Sequence, residues 1–276
     1  MMMEQQEQDH ALARPELDLL KTYIDGCLRA WAHEGPGLEE LIAAEGNARE
    51  ALVLLVQEYF LRAVSYGEAI WLLLDRHLAV AFFPLLRSLY ESHVVLRYLS
   101  TLNEGEQLRE AQIASVHHWY YQRHRVRKRI GRPKELPTDR AELSRIEERI
   151  GVLLTQFPAA TMSEAENRQK CYSWTGKNVS ELLDTFGLAS DNDKTYSPLS
   201  TLTHGHHILI TEAVVRWTPE DYELRAKSCR SHLRAIRRLA QDILHRAFSD
   251  ASIDSYTPGD VLELRYPHGW FKVPRP

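Results

Sequence analysis

The chain has 276 residues, of which 44% are hydrophobic and 26% are charged, a balance typical of a soluble globular protein. The formal net charge of −4 argues against a general attraction to nucleic acid, although it is compatible with a local basic patch. Three widely spaced cysteines without a CxxC pair predict neither a disulfide framework nor a cysteine zinc site, so we expect a cytoplasmic protein. Charged residues interrupt every apolar run before it reaches about 18 residues, which predicts that no helix enters a membrane.

The apolar positions recur with helical spacing along most of the chain, and no strand–helix alternation suggests a parallel sheet. We therefore predict one all-α domain, a multi-helix bundle over residues 14–248, after a disordered polar tail at 1–13. The predicted helices, in chain order, are Pro15 to Trp31, a short helix near 38–44, Ala48 to Leu74, Ala79 to Ser100, Glu106 to Ile130, 138–156, Asn178 to Gly187, Pro198 to Trp217 and Pro219 to Phe248. Residues 249–276 are expected to form an irregular extension, with room for a short strand at VLELRY.

The segment 79–100, AVAFFPLLRSLYESHVVLRYLS, is apolar on nearly every face and predicts a buried central helix. Arg87 and Glu91 lie four residues apart on this helix, so they share a face whose other residues carry no charge. Because desolvating a charge costs on the order of several kcal/mol, such a pair either locks the fold or builds a polar site. The sequence leaves both interpretations open.

A second polar stretch is YSPLSTLTHGHHILI at 196–210. In a helix that begins at Pro198, Ser200 and His204 lie one turn apart, and the hydroxyl can orient the imidazole. A histidine placed in this way acts near neutral pH as a general base, a general acid or a phosphate-binding cation. The alternative is a core histidine whose hydrogen bond is satisfied by Ser200. His204 and His207 also suggest a metal ligand pair, but no inward carboxylate is in step with them, so we predict no metal and no cofactor.

The stretch CYSWTGKNVSELL at 171–183 places Trp174, Gly176 and Lys177 just before a predicted helix. A glycine and a lysine at a helix N-terminus are typical of an anion site. The stretch lacks the glycine spacing of a P-loop, so it does not predict nucleotide binding of that kind. The alternative is a turn that is anchored by the tryptophan.

A basic run ends the predicted helix that begins at Glu106. Such a run can follow a phosphate backbone, and it predicts a contact with RNA or with a small anionic ligand. A solvated helix end is the alternative, since cations suit the C-terminal end of the helix dipole. The residues that carry the prediction are Arg123, Arg125, Arg127, Lys128 and Arg129.

Three motifs occur in the order found in a known family. They are RSLYE at 87–91, WTGK at 174–177 and Tyr196-x-x-x-Ser200-x-x-x-His204. The chain resembles, over about residues 50–215, a bacterial helical family catalogued as domain of unknown function five-six-seven-seven (DUF5677). The resemblance implies an all-α fold, carries no established activity, and places seven residues in one polar centre. These are Arg87, Glu91, Trp174, Lys177, Tyr196, Ser200 and His204.

Arg87, Ser88 and His93 also resemble the motif of the HEPN ribonucleases of toxin and defence systems. That motif has an arginine, a polar residue and then a histidine four to six residues after the arginine. The resemblance implies a ribonuclease that forms a homodimer. However, His93 lies about 120° around the helix from Arg87, so His204 is the alternative histidine.

Two functions are therefore expected. The first is metal-independent cleavage of RNA, in which Arg87 and Lys177 hold phosphate, Glu91 orients Arg87, and His204 or His93 is the base. The second is a non-enzymatic helical sensor or interaction protein, in which the same cluster binds a small anion or fixes helix register. Exposure discriminates between them, because a working site opens to a cleft whereas a structural lock is sealed.

Overall fold

The computed structural model describes residues 14–29, 47–76, 78, 82–157, 173–188, 196–197, 200 and 217–247. These residues form seven helices and contain no strand, which confirms the predicted all-α fold. The helices are α1 (residues 14–29), α2 (Asn47–Asp75), α3 (Phe82–Thr101), α4 (Glu104–Arg127), α5 (Asp139–Gln156), α6 (Val179–Thr185) and α7 (Pro219–Ala247). The predicted tail, the short helix near 38–44, most of the helix at 198–217 and the C-terminal extension lie outside the described residues.

Three helices, α2, α3 and α7, form the centre of the fold and pack against one another in every pairing. α4 packs along α2 and forms a hairpin with α5, while α6 packs against α3. α3 is the central helix that its apolar sequence predicts, because half of its residues are buried. None of the described helices is both long enough and apolar enough to cross a membrane.

α1 is fixed to the centre of the fold by ion pairs at two of its positions. Arg14 donates to Asp75 at the end of α2, over 2.8 Å, and Glu16 accepts from Arg230 of α7 over 2.7 Å. The apolar face of α1 is buried between these contacts, with Leu17, Leu20 and Ile24 fully enclosed. Helix α1 therefore belongs to the same core as α2 and α7.

A glycine allows α2 and α7 to approach closely. A Cβ atom added to Gly67 of α2 would lie 2.8 Å from a methyl carbon of Leu233 on α7, closer than packed carbon atoms can come. A glycine inside a helix costs about 1 kcal/mol relative to alanine. Contact between the two helices over this position offsets that cost.

Capping side chains and a glycine define the ends of α4 and α6. Asn103 and Glu106 form a capping box that starts α4 at Glu104, two residues before the predicted start. Asn178 forms the same arrangement with Glu181 and caps α6. Gly187 has a φ of 69° just beyond α6, the left-handed conformation that glycine adopts without strain.

Candidate functional site

Arg87 and Glu91 of α3 meet Tyr196, which lies more than 100 residues further along the chain. Arg87 Nε donates to Glu91 Oε1 over 2.9 Å, and Arg87 Nη2 donates to the Tyr196 hydroxyl over 3.1 Å. The same hydroxyl donates to Glu91 Oε1 over 3.0 Å. The guanidinium also lies 5.4 Å from the centroid of the Tyr196 ring. We call these three residues the arginine centre.

The arginine centre is half-buried. The side chain of Arg87 is 20% exposed and that of Glu91 is 31% exposed, so solvent reaches both charges. Burial alone lowers the pKa of Arg87, but the Glu91 carboxylate and the Tyr196 hydroxyl outweigh burial, and the net pKa is raised. Burial, followed by the charge of Glu91, raises the pKa of Tyr196. At neutral pH the centre therefore holds a protonated guanidinium and a neutral phenol.

Aromatic contacts hold the WTGK motif against α2 and α3. Trp174 Nε1 donates to the Tyr59 hydroxyl of α2 over 2.9 Å, and the Trp174 ring lies 6.1 Å from that of Tyr98. Burial raises the pKa of Tyr59 to about 12, and the charges of Glu58 and Glu91 add to the increase. The tryptophan of WTGK is thus anchored to α2 and α3.

Lys177 contacts the helix that follows it. It is exposed, and its Nζ donates over 3.2 Å to the hydroxyl of Thr185, on the last turn of α6. That Lys177 binds a ligand stays a prediction.

The remaining predicted members of the centre lie at or beyond the edge of the described chain. Ser200 has helical backbone and is half-buried. His204 and His207 lie outside the described residues, so the prediction that His204 joins the centre is untested. Within the described part of the chain, no three His, Cys, Asp or Glu side chains converge as metal ligands.

The comparison with protein-family models matches residues 53–221 to the Family of unknown function (DUF5677). The match covers more than half of the chain. This chain belongs to that family. Arg87, Glu91 and Tyr196 all lie within the matched residues, as do Tyr59 and Trp174. The comparison with curated proteins and the comparison with solved structures each found no match.

Membership of DUF5677 confirms the resemblance carried by RSLYE, WTGK and the Tyr196 motif, and it assigns no activity. The match begins at residue 53, inside α2, includes α3 to α6, and ends at residue 221, three residues into α7. The function of this DUF5677 member must therefore be argued from its own side chains.

A pair of histidines lies beside the arginine centre, and sequence reasoning missed it. The Nδ1 atoms of His93 on α3 and His232 on α7 are 3.2 Å apart. The pKa of each imidazole is lowered to about 4, by burial for His232 and by burial together with the neighbouring His232 and Arg97 for His93. His232 follows no motif and lies beyond the DUF5677 match, so only the packing of α7 on α3 reveals it.

The two histidines are joined to the arginine centre through one ring. The Tyr90 ring packs edge-on against both imidazoles, with centroids 6.4 Å from His93 and 5.4 Å from His232. Its face stacks on Tyr196, with a centroid distance of 6.2 Å. His93 therefore faces His232, and a pairing of His93 with Arg87, as in the HEPN motif, stays a prediction.

The structure divides the basic run into paired and exposed members. Arg127 pairs with Glu147 of α5, and Arg129 pairs with Asp139 and Glu142. The guanidinium groups of Arg123 and Arg125 lie over tyrosine rings of their own helix, at 4.5 and 5.9 Å. Arg127 and Arg129 thus help to hold the α4–α5 hairpin. The exposed cations around its turn include Lys128, Arg132 and Lys134.

Proposed function

We propose that this DUF5677 protein is a helical ligand-binding protein, a sensor rather than an enzyme, whose arginine centre receives a small anionic ligand. The observation that carries the proposal is the half-exposed Arg87–Glu91 pair, held by Tyr196 within a helix that is otherwise largely buried. A planar guanidinium fixed by neighbours matches carboxylate and phosphate groups and loses little freedom on binding them. A sealed structural pair offers no such access.

Glu91 has a defined part in this proposal. It neutralises Arg87 in the absence of ligand, so that the half-buried guanidinium is not left without a counter-charge. An anionic ligand competes with the Glu91 carboxylate for the same cation. Removing the charge of Glu91 should therefore strengthen anion binding, whereas removing the charge of Arg87 should abolish it.

The experiment uses opposite charge changes at the two positions. Wild type, Arg87→Gln and Glu91→Gln are titrated with inorganic phosphate and with pyrophosphate, and binding is followed by calorimetry and by the shift in Tm. We expect weak binding in wild type, no binding in Arg87→Gln and tighter binding in Glu91→Gln. Glu91→Gln keeps the test informative even if Arg87→Gln folds poorly.

Arg62→Gln is the matched control. Arg62 also pairs with a glutamate four residues away, Glu58, and also lies over a tyrosine ring, that of Tyr59. It differs in exposure, since the two side chains are 43% and 57% exposed. Binding in Arg62→Gln should match wild type. If Glu91→Gln fails to bind either anion, or if Arg87→Gln binds as wild type does, the anion site is not at the arginine centre.

A second candidate is a cytoplasmic ribonuclease of a toxin or defence system, and the charge of the α4–α5 hairpin favours it. Residues 121–149 contain ten Arg and Lys against five Asp and Glu, a net charge of +5 in a chain of net charge −4. Such a surface attracts RNA in a salt-dependent way. In this function Arg87 and Lys177 hold phosphate. His204 is the expected base, since a pKa of about 4 makes His93 a weak one.

The ribonuclease proposal is tested on total RNA. Wild type should cleave it without added metal, while His204→Ala should melt normally and lose cleavage. A Lys128→Gln, Arg132→Gln, Lys134→Gln triple variant should cleave more weakly and with less dependence on salt. If wild type does not cleave RNA, the ribonuclease proposal is rejected and only the ligand-binding proposal remains. If His204→Ala cleaves RNA as wild type does, His204 is not the base. The mass of the protein in solution tests the predicted homodimer.

A further inference from the structure

His93 and His232 connect two of the three central helices. Their Nδ1 atoms are 3.2 Å apart across the interface of α3 and α7, and their ring centroids are 5.4 Å apart. At this distance one imidazole donates its N–H to the lone pair of the other, and the tautomers decide which one donates. Tyr90 packs edge-on against both rings and encloses the contact.

We propose that His93 and His232 form a proton-sensitive latch between α3 and α7, closed while both imidazoles are neutral and opened when both are protonated. The hydrogen bond requires one Nδ1 lone pair. After one protonation an imidazolium N–H can still donate to the neutral ring, whereas protonation of both rings removes the last Nδ1 lone pair and turns two N–H groups toward each other. Each added proton also places a positive charge in a largely apolar interface. The inference does not depend on the proposed ligand.

The surroundings of the latch do not compensate such a charge. On α3, Arg97 lies one turn beyond His93 and adds a positive charge, and Tyr90 contributes a ring. On α7, the titratable group that faces His93 is His232 itself. Within the described part of the chain, no carboxylate of α2, α3 or α7 forms an ion pair with either imidazole. Tyr196 stacks on the outer face of Tyr90, so opening of the latch would also disturb the arginine centre.

The sign of the pH dependence follows from where each state binds protons. Histidine has an ordinary pKa of 6.5, and burial lowers the pKa of both imidazoles to about 4 in the folded protein. Between these values the unfolded chain binds more protons than the folded one. The contribution of the latch to stability is therefore complete above pH 6.5 and decreases as the pH falls toward 4. Near pH 5, unfolding of the wild type takes up about two protons at these histidines.

The experiment measures urea unfolding of the full chain from pH 7.5 to 4.5 for wild type, His232→Asn and the double variant His93→Asn, His232→Asn. An asparagine amide can occupy the position of Nδ1 and cannot be protonated in this range. Near pH 5, the slope of stability against pH should correspond to about one proton fewer in His232→Asn and about two fewer in the double variant. His118→Asn, at an exposed histidine of α4, should keep the wild-type slope.

An NMR titration of the histidine side chains in wild type tests, without any variant, whether two imidazoles stay neutral in the folded protein. We expect the resonances of two imidazoles to stay in the neutral form down to about pH 5. Equal slopes in wild type and a folded double variant overturn the latch. Titration of every histidine near pH 6.5 overturns it as well, even if the double variant fails to fold.

Discussion

Two of the arginine–carboxylate contacts in the fold differ in how far their side chains are exposed to solvent. Arg129, just beyond α4, binds Asp139 at the start of α5 with both Nε and Nη2, and the Asp139 side chain is 0% exposed. The backbone N–H of Leu136 donates to the same carboxylate over 2.8 Å. Arg87 and Glu91 lie on one helix, share a tyrosine hydroxyl, and remain 20% and 31% exposed.

The comparison shows that enclosure, not the presence of an ion pair, separates a structural contact from a candidate site. The hydrogen bonds from Arg129 and then from Leu136 lower the pKa of Asp139, so its charge is held within the hairpin turn. Both of these donors lie within ten residues of Asp139. The arginine centre instead joins residues 105 and 109 positions apart and leaves its charges open to an incoming group.

The enclosed contact should be the more costly one to break. Asp139→Asn removes the charge that Arg129 faces and turns an amide N–H₂ or a weaker acceptor toward it, while Arg129 keeps its charge. We expect a decrease in Tm of several degrees, larger than that of Arg87→Ala or of Trp174→Phe, measured by thermal unfolding at pH 7.

Glu142→Gln is the control for Asp139→Asn, because Glu142 contacts the same arginine over 3.3 Å but is 39% exposed. It should change Tm little. If Asp139→Asn melts as wild type does, the α4–α5 turn does not depend on this contact, and enclosure is a poor guide to structural importance.

The pH dependence of the enclosed contact also has a definite sign. Because the pKa of Asp139 is lowered in the folded protein, its contribution to stability is present above its ordinary pKa of 3.8 and is lost as the pH falls through the lowered value. Wild type should therefore lose more stability than Asp139→Asn between pH 5 and pH 2, measured by urea unfolding at each pH. Parallel curves for the two proteins would show that Asp139 is not ionised preferentially in the fold.

Breaking the open contact should cost less. Arg87→Ala leaves the Glu91 carboxylate and the Tyr196 hydroxyl without their shared cation, but solvent can reach both groups. We expect a loss of about 1–2 kcal/mol in the free energy of unfolding, between the values for exposed and fully buried pairs. The measurement is urea unfolding at pH 7. A loss as large as that of Asp139→Asn would make the arginine centre a second structural lock.

Contacts within one helix could be predicted from the sequence, whereas contacts between distant segments could not. The α3 helix and its Arg87–Glu91 pair follow from helical spacing alone, because both residues lie on one face and four positions apart. The partner Tyr196 entered only through the family resemblance, since periodicity carries no information on contacts 105 residues apart. His232 was missed for the same reason, whereas Asp139 was missed because periodicity does not show how a short turn folds back on itself. The pattern of their own helices shows them as polar residues and does not show which helix packs against them.

The hydrogen bond of Trp174, in the WTGK motif, is expected to make a smaller contribution to stability. Trp174→Phe keeps an aromatic ring but removes the N–H that donates to Tyr59, which leaves a buried hydroxyl without this donor. The expected loss is about 1 kcal/mol in urea unfolding. A double-mutant cycle with Tyr59→Phe isolates this bond, because Trp174→Phe should cost little once the hydroxyl is absent. Full additivity of the two variants would mean that the bond contributes nothing measurable.

The smallest effect on stability is expected for a substitution of Lys177. Its measurement tests mainly whether Lys177 contributes to anion binding. Its exposed ammonium contacts the Thr185 hydroxyl at the end of α6, so Lys177→Gln should change the free energy of unfolding by less than about 0.5 kcal/mol. If the arginine centre alone receives the anion, phosphate should bind Lys177→Gln as it binds wild type. A clear loss of phosphate binding in a variant of unchanged stability would show that the WTGK loop supplies a second cation. The binding site would then extend from α3 to the start of α6, as the family resemblance implies, and the open contact would be only one side of it.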